Sequence, residues 1–121
     1  MKTNQFIAAV LLTYAHSFAS AVGAYCTYKV AKVSIEPGGT VAASLTGQSG
    51  SVLYTILCNV DLAYAGISPS VCKPIYALLL VAKNTQQDTG WWFDSPTAFS
   101  CSSPSWIQLK SLGWYYGPII E

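Results

Sequence analysis

One amphipathic helix constrains the fold more than any other feature of this sequence. Residues 68–84 read SPSVCKPIYALLLVAKN, and sequence of β-strand type lies on both sides of them. Four apolar side chains in this segment share the i, i+3, i+4, i+7 spacing of one helical face. They are Ile75, Leu78, Leu79 and Ala82. A single short helix in a β-rich chain has to bury such a stripe, so the sequence predicts a helix packed on a β-sheet.

The ends of this helix are predicted from its flanking residues. Ser70 can cap the start, and Pro74 then falls in the first turn, where a missing N–H costs little. Lys83 suits the negative C-terminal end of a helix. Asn84 tolerates the left-handed conformation that often closes one, so we expect the helix to end there.

The first residues predict export from the cytoplasm. Residues 1–24 read as a secretory signal peptide, with Lys2 before an apolar run at 6–15 and with small residues that permit cleavage before Val22 or Tyr25. The apolar run is shorter than the roughly 20 residues of a membrane span, so no span is expected after cleavage. The remaining residues 25–121 predict a single secreted or periplasmic domain.

Removal of the signal peptide limits the available chemistry. The one histidine, His16, leaves with it, and the sequence contains no arginine. Five lysines then balance five acidic residues, because Lys2 is lost from the six basic ones. A near-neutral domain has no electrostatic attraction for nucleic acid or for an anionic membrane, and we expect neither partner.

The four cysteines predict two disulfides, as expected for an exported domain of this size. They are Cys26, Cys58, Cys72 and Cys101, and they allow three pairings. We favour the pairs Cys58–Cys101 and Cys26–Cys72. The first would tie the strand before the helix to the segment after it, and the second would pin the N-terminal strand to the start of the helix. Each bond would close a long loop, worth roughly 4 kcal/mol. A zinc site is disfavoured because no CxxC motif and no histidine remain, so neither a metal nor another cofactor is expected.

The rest of the chain reads as β-strands. They are predicted at residues 26–35, 41–45, 51–60, 91–93 and 114–120, with 106–112 either joining the last strand or forming a separate piece. The alternation in the first strand changes phase near Ala31 and Lys32, which predicts a bulge. Residues 51–60 are apolar on both faces, which predicts a central strand.

The predicted order of three strands, one helix and two strands indicates a mainly β fold. It is the order of the OB-fold, a small five-stranded barrel with its helix between strands three and four. A bent first strand agrees, because that strand serves both halves of such a barrel. A three-stranded sheet followed by a hairpin has the same order and stays open as an alternative.

The second half of the chain resembles a group of secreted bacterial proteins. The motifs concerned are Cys58-Asn59, Leu78-Leu79 with Ala82, Trp91-Trp92-Phe93, Cys101 and Trp114-Tyr115-Tyr116, within residues 51–120. In order and spacing they are similar to OB-fold binding (B) subunits of AB5 toxins of the subtilase-cytotoxin and pertussis type, and to related small exported proteins. The resemblance implies an OB-like barrel that binds a cell-surface glycan or receptor and assembles as a pentamer.

Catalysis is not predicted. A serine–histidine arrangement is impossible without histidine. The carboxylates Asp61, Asp88 and Asp94 lie in or beside predicted turns, where Asp usually caps and solubilises. A glycosidase pair such as Asp61 with Asp94 is the alternative, but the composition favours a non-enzyme.

Aromatic residues crowd the last third of the chain and provide the candidate ligand-binding residues. These are Trp91, Trp92, Trp106, Trp114, Tyr115 and Tyr116. Adjacent strand residues point to opposite faces, so at least one member of each neighbouring pair should face outward or into an interface. Such residues could cover the sheet, form an oligomer contact, or stack on a sugar ring.

Two large helix residues fall off the predicted buried stripe, and we interpret Tyr76 and Leu80 as candidate interface residues. Two function classes follow from the sequence. One is a secreted module that binds a glycan or receptor. The other is a structural or inhibitory exported protein that packs against a protein partner through its aromatic surface.

Overall fold

A computed structural model describes residues 22–95 and 99–121 of the chain. The elements are β1 (Val22–Ile35), β2 (Thr40–Gly47), β3 (Gly50–Asn59), α1 (Pro69–Thr85), β4 (Asp88–Ser95), a 3₁₀ turn (Leu109–Leu112) and β5 (Trp114–Ile120). The predicted order of three strands, one helix and two strands is confirmed. The predicted signal peptide lies outside the described residues, apart from its last three, which begin β1. No helix in the described part is long and apolar enough to cross a membrane.

The five strands form one antiparallel sheet in the order β3-β2-β1-β4-β5. The central strand, β1, pairs with β4 through residues 22–29 and with β2 through residues 29–35. Its register shifts between Val30 and Lys32, so the predicted bulge is confirmed. A bulge bends a strand, and β1 accordingly serves both halves of the sheet.

The sheet is open, with β3 at one edge and β5 at the other. The prediction that the third strand is central is therefore wrong. A later segment, residues 103–108, runs parallel to the free side of β3 and forms bridges from Val52 to Ser103 and from Ile56 to Gln108. This segment covers a strand edge that would otherwise expose unpaired backbone groups.

Two irregularities explain why β3 looks apolar on both faces. The register with β2 shifts once at residues 53–54 and again at Leu57, and Tyr54 has a left-handed backbone with φ 53°. Each extra residue reverses the alternation of the side chains. Val52, Thr55, Leu57 and Cys58 are consequently all buried, although they do not share one parity. An edge strand with two bulges thus resembles a strand covered on both sides.

Helix α1 begins two residues earlier and ends later than predicted. Ser68 is its N-cap and Pro69 its first residue, so Pro74 lies inside the helix instead of in the first turn. Pro74 is exposed on the solvent side, where the carbonyl that loses its helical partner can be hydrated. The helix closes at Gln86 in the left-handed conformation (φ 54°), beyond Asn84.

The predicted buried stripe of α1 is largely confirmed. Leu79 and Ala82 are fully buried, and Ile75 is half-buried against the same core. Leu78 is also half-buried. The helix packs mainly on β1, with further contacts to β3 and β5.

All four cysteines form disulfides, but the predicted pairing is wrong. Cys26 bonds Cys101 and Cys58 bonds Cys72, with sequence separations of 75 and 14. Cys58 lies one residue before the end of β3, and Cys72 lies in the first turn of α1. The linker between them therefore folds back and brings the start of α1 beside the end of β3. Cys26 points into the core where the segment after β4 passes β1. Two disulfides fit an oxidising location outside the cytoplasm.

A hydrogen-bonded network joins β1 to β4 inside the core. The Tyr28 hydroxyl donates to the backbone oxygen of Cys101 at 2.6 Å. The Thr89 hydroxyl donates to the backbone oxygen of Tyr28 at 2.7 Å and accepts from the Trp91 indole at 2.8 Å. Burial raises the pKa of the Tyr28 hydroxyl above its ordinary value, because the phenolate would lose its hydration.

Candidate ligand-binding site

Neighbouring aromatic residues of β4 point to opposite faces of the sheet, as predicted. Trp91 and Phe93 are fully buried, whereas the Trp92 side chain between them is 38% exposed. The outward position of Trp92 leaves a large apolar ring in contact with solvent. It is therefore the starting point for a candidate site.

Three exposed aromatic residues form a row across three adjacent strands. Trp92 pairs with Tyr25 of β1 on one side and with Tyr116 of β5 on the other. The Tyr25 and Trp92 rings lie 4.5 Å apart between centroids at an angle of 44°. Tyr25 is 42% and Tyr116 is 58% exposed. These three residues are called the aromatic row below.

Gly90 allows the Tyr25 ring to lie across β4. A Cβ at Gly90 would collide with the Tyr25 hydroxyl and would come within 2.9 Å of Cε2 of the same ring. Gly90 is buried, because Tyr25 and Glu121 cover its place in the strand. An aromatic ring that covers a cross-strand glycine shields the backbone and fixes its own orientation. The aromatic row is therefore held by packing on its β1 side.

A groove of about 520 Å³, called the polar groove below, lies farther along β1 from Tyr25 and begins at Thr27. Its lining residues are Thr27, Lys29, Thr46, Gly47, Gln48, Ser49 and Asp88. Tyr25, Thr27 and Lys29 alternate with buried residues along β1, so their side chains share one face. The row and the groove are consequently two parts of one continuous surface.

The charges in the groove compensate each other. Lys29 Nζ lies 3.0 Å from Asp88 Oδ1 and donates to the backbone oxygen of Gln86 at 2.9 Å. Both side chains of the ion pair are half-exposed, so the pair contributes little to stability. Its effect is to leave the groove without net charge and rich in hydroxyl and amide groups.

Two of the predicted ligand-binding residues belong to the core instead. Trp91 is fully buried and Trp114 is 4% exposed, and their rings lie 5.6 Å apart between centroids. Neither ring can contact a ligand on the surface. Alternation along the strands places Trp91 inward, and the pairing of Trp114 with Phe93 places it over the same core.

The other predicted aromatic residues are exposed but do not all lie together. Trp114 pairs with Phe93 and Tyr116 pairs with Trp92, so Tyr115 is an extra residue that bulges out of β5 between them. Tyr115 and Tyr116 are both exposed. Trp106 is 68% exposed and lies beside β3, where its ring contacts Tyr54 at 4.1 Å between centroids. Only Trp92 and Tyr116 of the predicted set join the aromatic row.

The two candidate interface residues occupy different environments. Tyr76 is half-buried and packs against the core. Leu80 is 37% exposed on the outer face of α1, and its neighbour Val81 is also exposed. The outer helix surface thus carries aliphatic side chains, with Leu80 and not Tyr76 as their largest member.

Sequence reasoning missed Tyr25 and the polar groove. In the sequence-based prediction Tyr25 appears only as a residue beside a cleavage site. The alternation of Tyr25, Thr27 and Lys29 with buried Cys26 and Tyr28 was the available signal. No local sequence pattern predicts the groove, because it forms where β1, the β2–β3 turn and the start of β4 meet, and these segments are separate in the sequence.

The described residues contain no cluster of His, Cys, Asp or Glu side chains that could hold a metal ion. No protein-family model, no curated protein and no solved structure matches the chain.

Proposed function

We propose that this protein is an exported, non-catalytic binding module that recognises a neutral glycan on the outer face of its sheet. The observation that carries the proposal is the aromatic row of Tyr25, Trp92 and Tyr116 beside a polar groove. The two disulfides support export, because they need an oxidising compartment.

The aromatic row matches the apolar face of a sugar ring, and the polar groove matches its hydroxyl groups. The C–H face of a pyranose ring is apolar and stacks on an exposed aromatic ring, which is rigid and loses little entropy on binding. Sugar hydroxyls need hydrogen-bond partners, which the groove offers from Thr27, Thr46, Gln48 and Ser49. Strands lie about 4.8 Å apart, so three of them hold a row roughly 10 Å long, enough for two sugar units.

The ion pair favours a neutral ligand over an acidic one. Lys29 is already bound to Asp88, and a sugar carboxylate in the groove would approach the Asp88 carboxylate as well. Like charges at short range are costly, whereas a neutral hydroxyl can accept from Lys29 or donate to Asp88.

The fold proposed for this module is an opened OB barrel. Its strand order and its two-part β1 agree with that architecture, and the parallel segment 103–108 stands on the free side of β3 where a barrel would close. The resemblance to toxin B subunits extends the proposal to a homo-oligomer, a pentamer if the likeness holds, that carries several such sites.

The alternative function is packing against a protein partner, and the outer face of α1 favours it. Leu80 and Val81 are exposed there as aliphatic side chains. We expect Leu80→Lys to leave the domain folded and to reduce the solution mass if this face is an interface. If the parent protein is already a monomer and Leu80→Lys leaves its mass unchanged, the outer face of α1 is not an interface between subunits.

Glycan-array binding of the disulfide-bonded protein, followed by calorimetry on the best neutral ligand, tests the main proposal. Trp92→Ala should abolish binding while the circular dichroism spectrum stays unchanged. Trp106→Ala is the matched control, since it removes an exposed tryptophan beside β3 and should leave binding intact. The proposal fails if no neutral glycan binds, or if the two variants bind equally well.

A further inference from the structure

A second cavity lies on the other half of β1. It has a volume of about 210 Å³ and is lined by residues of β1, β2, β3 and the last turn of α1. Val33, Ala42 and Ala43 give it an apolar floor. Sites for drug-sized ligands begin at about 300 Å³, so this cavity suits a smaller molecule.

Two lysines, Lys32 and Lys83, line this cavity. Lys32 projects from β1 and is exposed, and Lys83 comes from α1 and is half-buried. Within the described ranges the ion pair joins Lys29 to Asp88, and neither Lys32 nor Lys83 forms one. The nearby acid is Glu36, whose carboxylate oxygen is 3.5 Å from the Tyr54 hydroxyl.

Tyr54 forms a fixed aromatic wall of the cavity. Its backbone N–H donates to the Ser44 hydroxyl at 3.0 Å, and its ring packs on Trp106. The bulge of β3 holds Tyr54 in the left-handed region, which is unusual for a bulky residue and is maintained here by those contacts. The wall is therefore in place before a ligand arrives, which lowers the cost of binding.

We propose that this cavity binds a small organic anion whose apolar body rests on Val33, Ala42 and Ala43 and whose charged group lies between Lys32 and Lys83. The apolar floor excludes a hydrated inorganic ion as the preferred ligand, because it offers that ion no hydrogen bonds. The uncompensated ammonium groups select a carboxylate or sulfonate over a neutral analogue. The cavity is distinct from the glycan surface, which has the compensated lysine.

Phenylacetate and its neutral counterpart phenylacetamide are the probes for this site. We expect phenylacetate to shift the amide resonances of Val33, Ala43 and Lys83 in a titration followed by two-dimensional NMR. Its affinity should fall as salt is raised from low to physiological concentration, because partly exposed charges are screened. Phenylacetamide should bind at least several-fold more weakly.

Charge-removing variants complete the test. Replacing both Lys32 and Lys83 by Gln should weaken phenylacetate binding by about fivefold or more, the range for partly exposed ion pairs. Lys73→Gln, an exposed change elsewhere on α1, is the matched control and should leave the affinity unchanged. The proposal is overturned if phenylacetate does not bind at the cavity, if phenylacetamide binds as tightly, or if the double variant binds like the parent protein.

Discussion

Tyr25 and Trp92 are cross-strand partners on the outer face of β1 and β4, with ring centroids 4.5 Å apart. The two residues are far apart in the sequence and meet because β1 pairs with β4. Their contact places one aromatic side chain against another while leaving both accessible to solvent. This pair anchors the aromatic row and connects it to the polar groove on β1.

The first prediction concerns Gly90, which lies beneath the Tyr25 ring. Gly90→Ala should displace that ring and destabilise the domain by about 1–3 kcal/mol, the usual cost of overpacking. Glycan binding should weaken with it, because the aromatic row loses its support. Gly38→Ala is the matched control, since a Cβ there meets nothing within 4 Å. Urea denaturation measures the stability of the two variants. Equal stabilities would contradict the packing role of Gly90.

The second prediction concerns the mature N-terminus. Residues 22–24 pair with β4, opposite residues 93–95, so cleavage before Tyr25 would remove three ladder positions. We expect the exported protein to begin at Val22, and intact-mass measurement decides between the two sites. A mature protein that begins at Tyr25 would show that the start of β1 is dispensable.

The third prediction concerns the disulfides. Peptide mapping under non-reducing conditions should link Cys26 to Cys101 and Cys58 to Cys72. Replacing Cys26 and Cys101 by Ser should cost more stability than replacing Cys58 and Cys72, roughly 4–5 against about 3 kcal/mol, because the longer loop constrains the unfolded chain more. Thermal unfolding of the two double variants measures the difference. The reverse ranking would show that packing around the sulfurs outweighs loop entropy.

The fourth prediction concerns alkaline pH. Burial raises the pKa of the Tyr28 hydroxyl, so the folded protein holds this proton more tightly than the unfolded chain does. The resulting stability is complete below the unfolded pKa of about 10 and declines as the pH rises above it. Tyr28→Phe should lower stability at neutral pH, because the 2.6 Å hydrogen bond to Cys101 is lost. It should also flatten the decline above pH 10, which urea denaturation across pH 8–11 would detect; an unchanged slope would assign the decline to other groups.

Several parts of the fold could be predicted because they depend on local periodicity. Leu79 and Ala82 lie on one face of a helix whatever the helix contacts, and both are buried. The change of phase at Ala31 is a property of one strand, and it is a bulge. Alternation likewise required Trp91 and Trp92 to face opposite sides of β4. It could not say which of the two faces inward.

Other features depend on which segments meet, and local patterns do not contain this information. The predicted pairing closed two long loops, but the linker after β3 returns Cys72 to Cys58 within 14 residues. The β3 sequence looked central because two bulges bring residues of both parities into the core. The position of β3 at an edge follows from the order of the whole sheet.

The sequence by itself determined the mainly β class, the single helix with its buried stripe, the bulge in β1 and the participation of all four cysteines in disulfides. These follow from side-chain period and composition, which act over a few residues. Only the tertiary structure decided the disulfide partners, the burial of Trp114 and the assembly of Tyr25, Trp92 and Tyr116 into one row. Those relationships require the register between strands that are distant in the chain, and that register is set by the packing of the whole core.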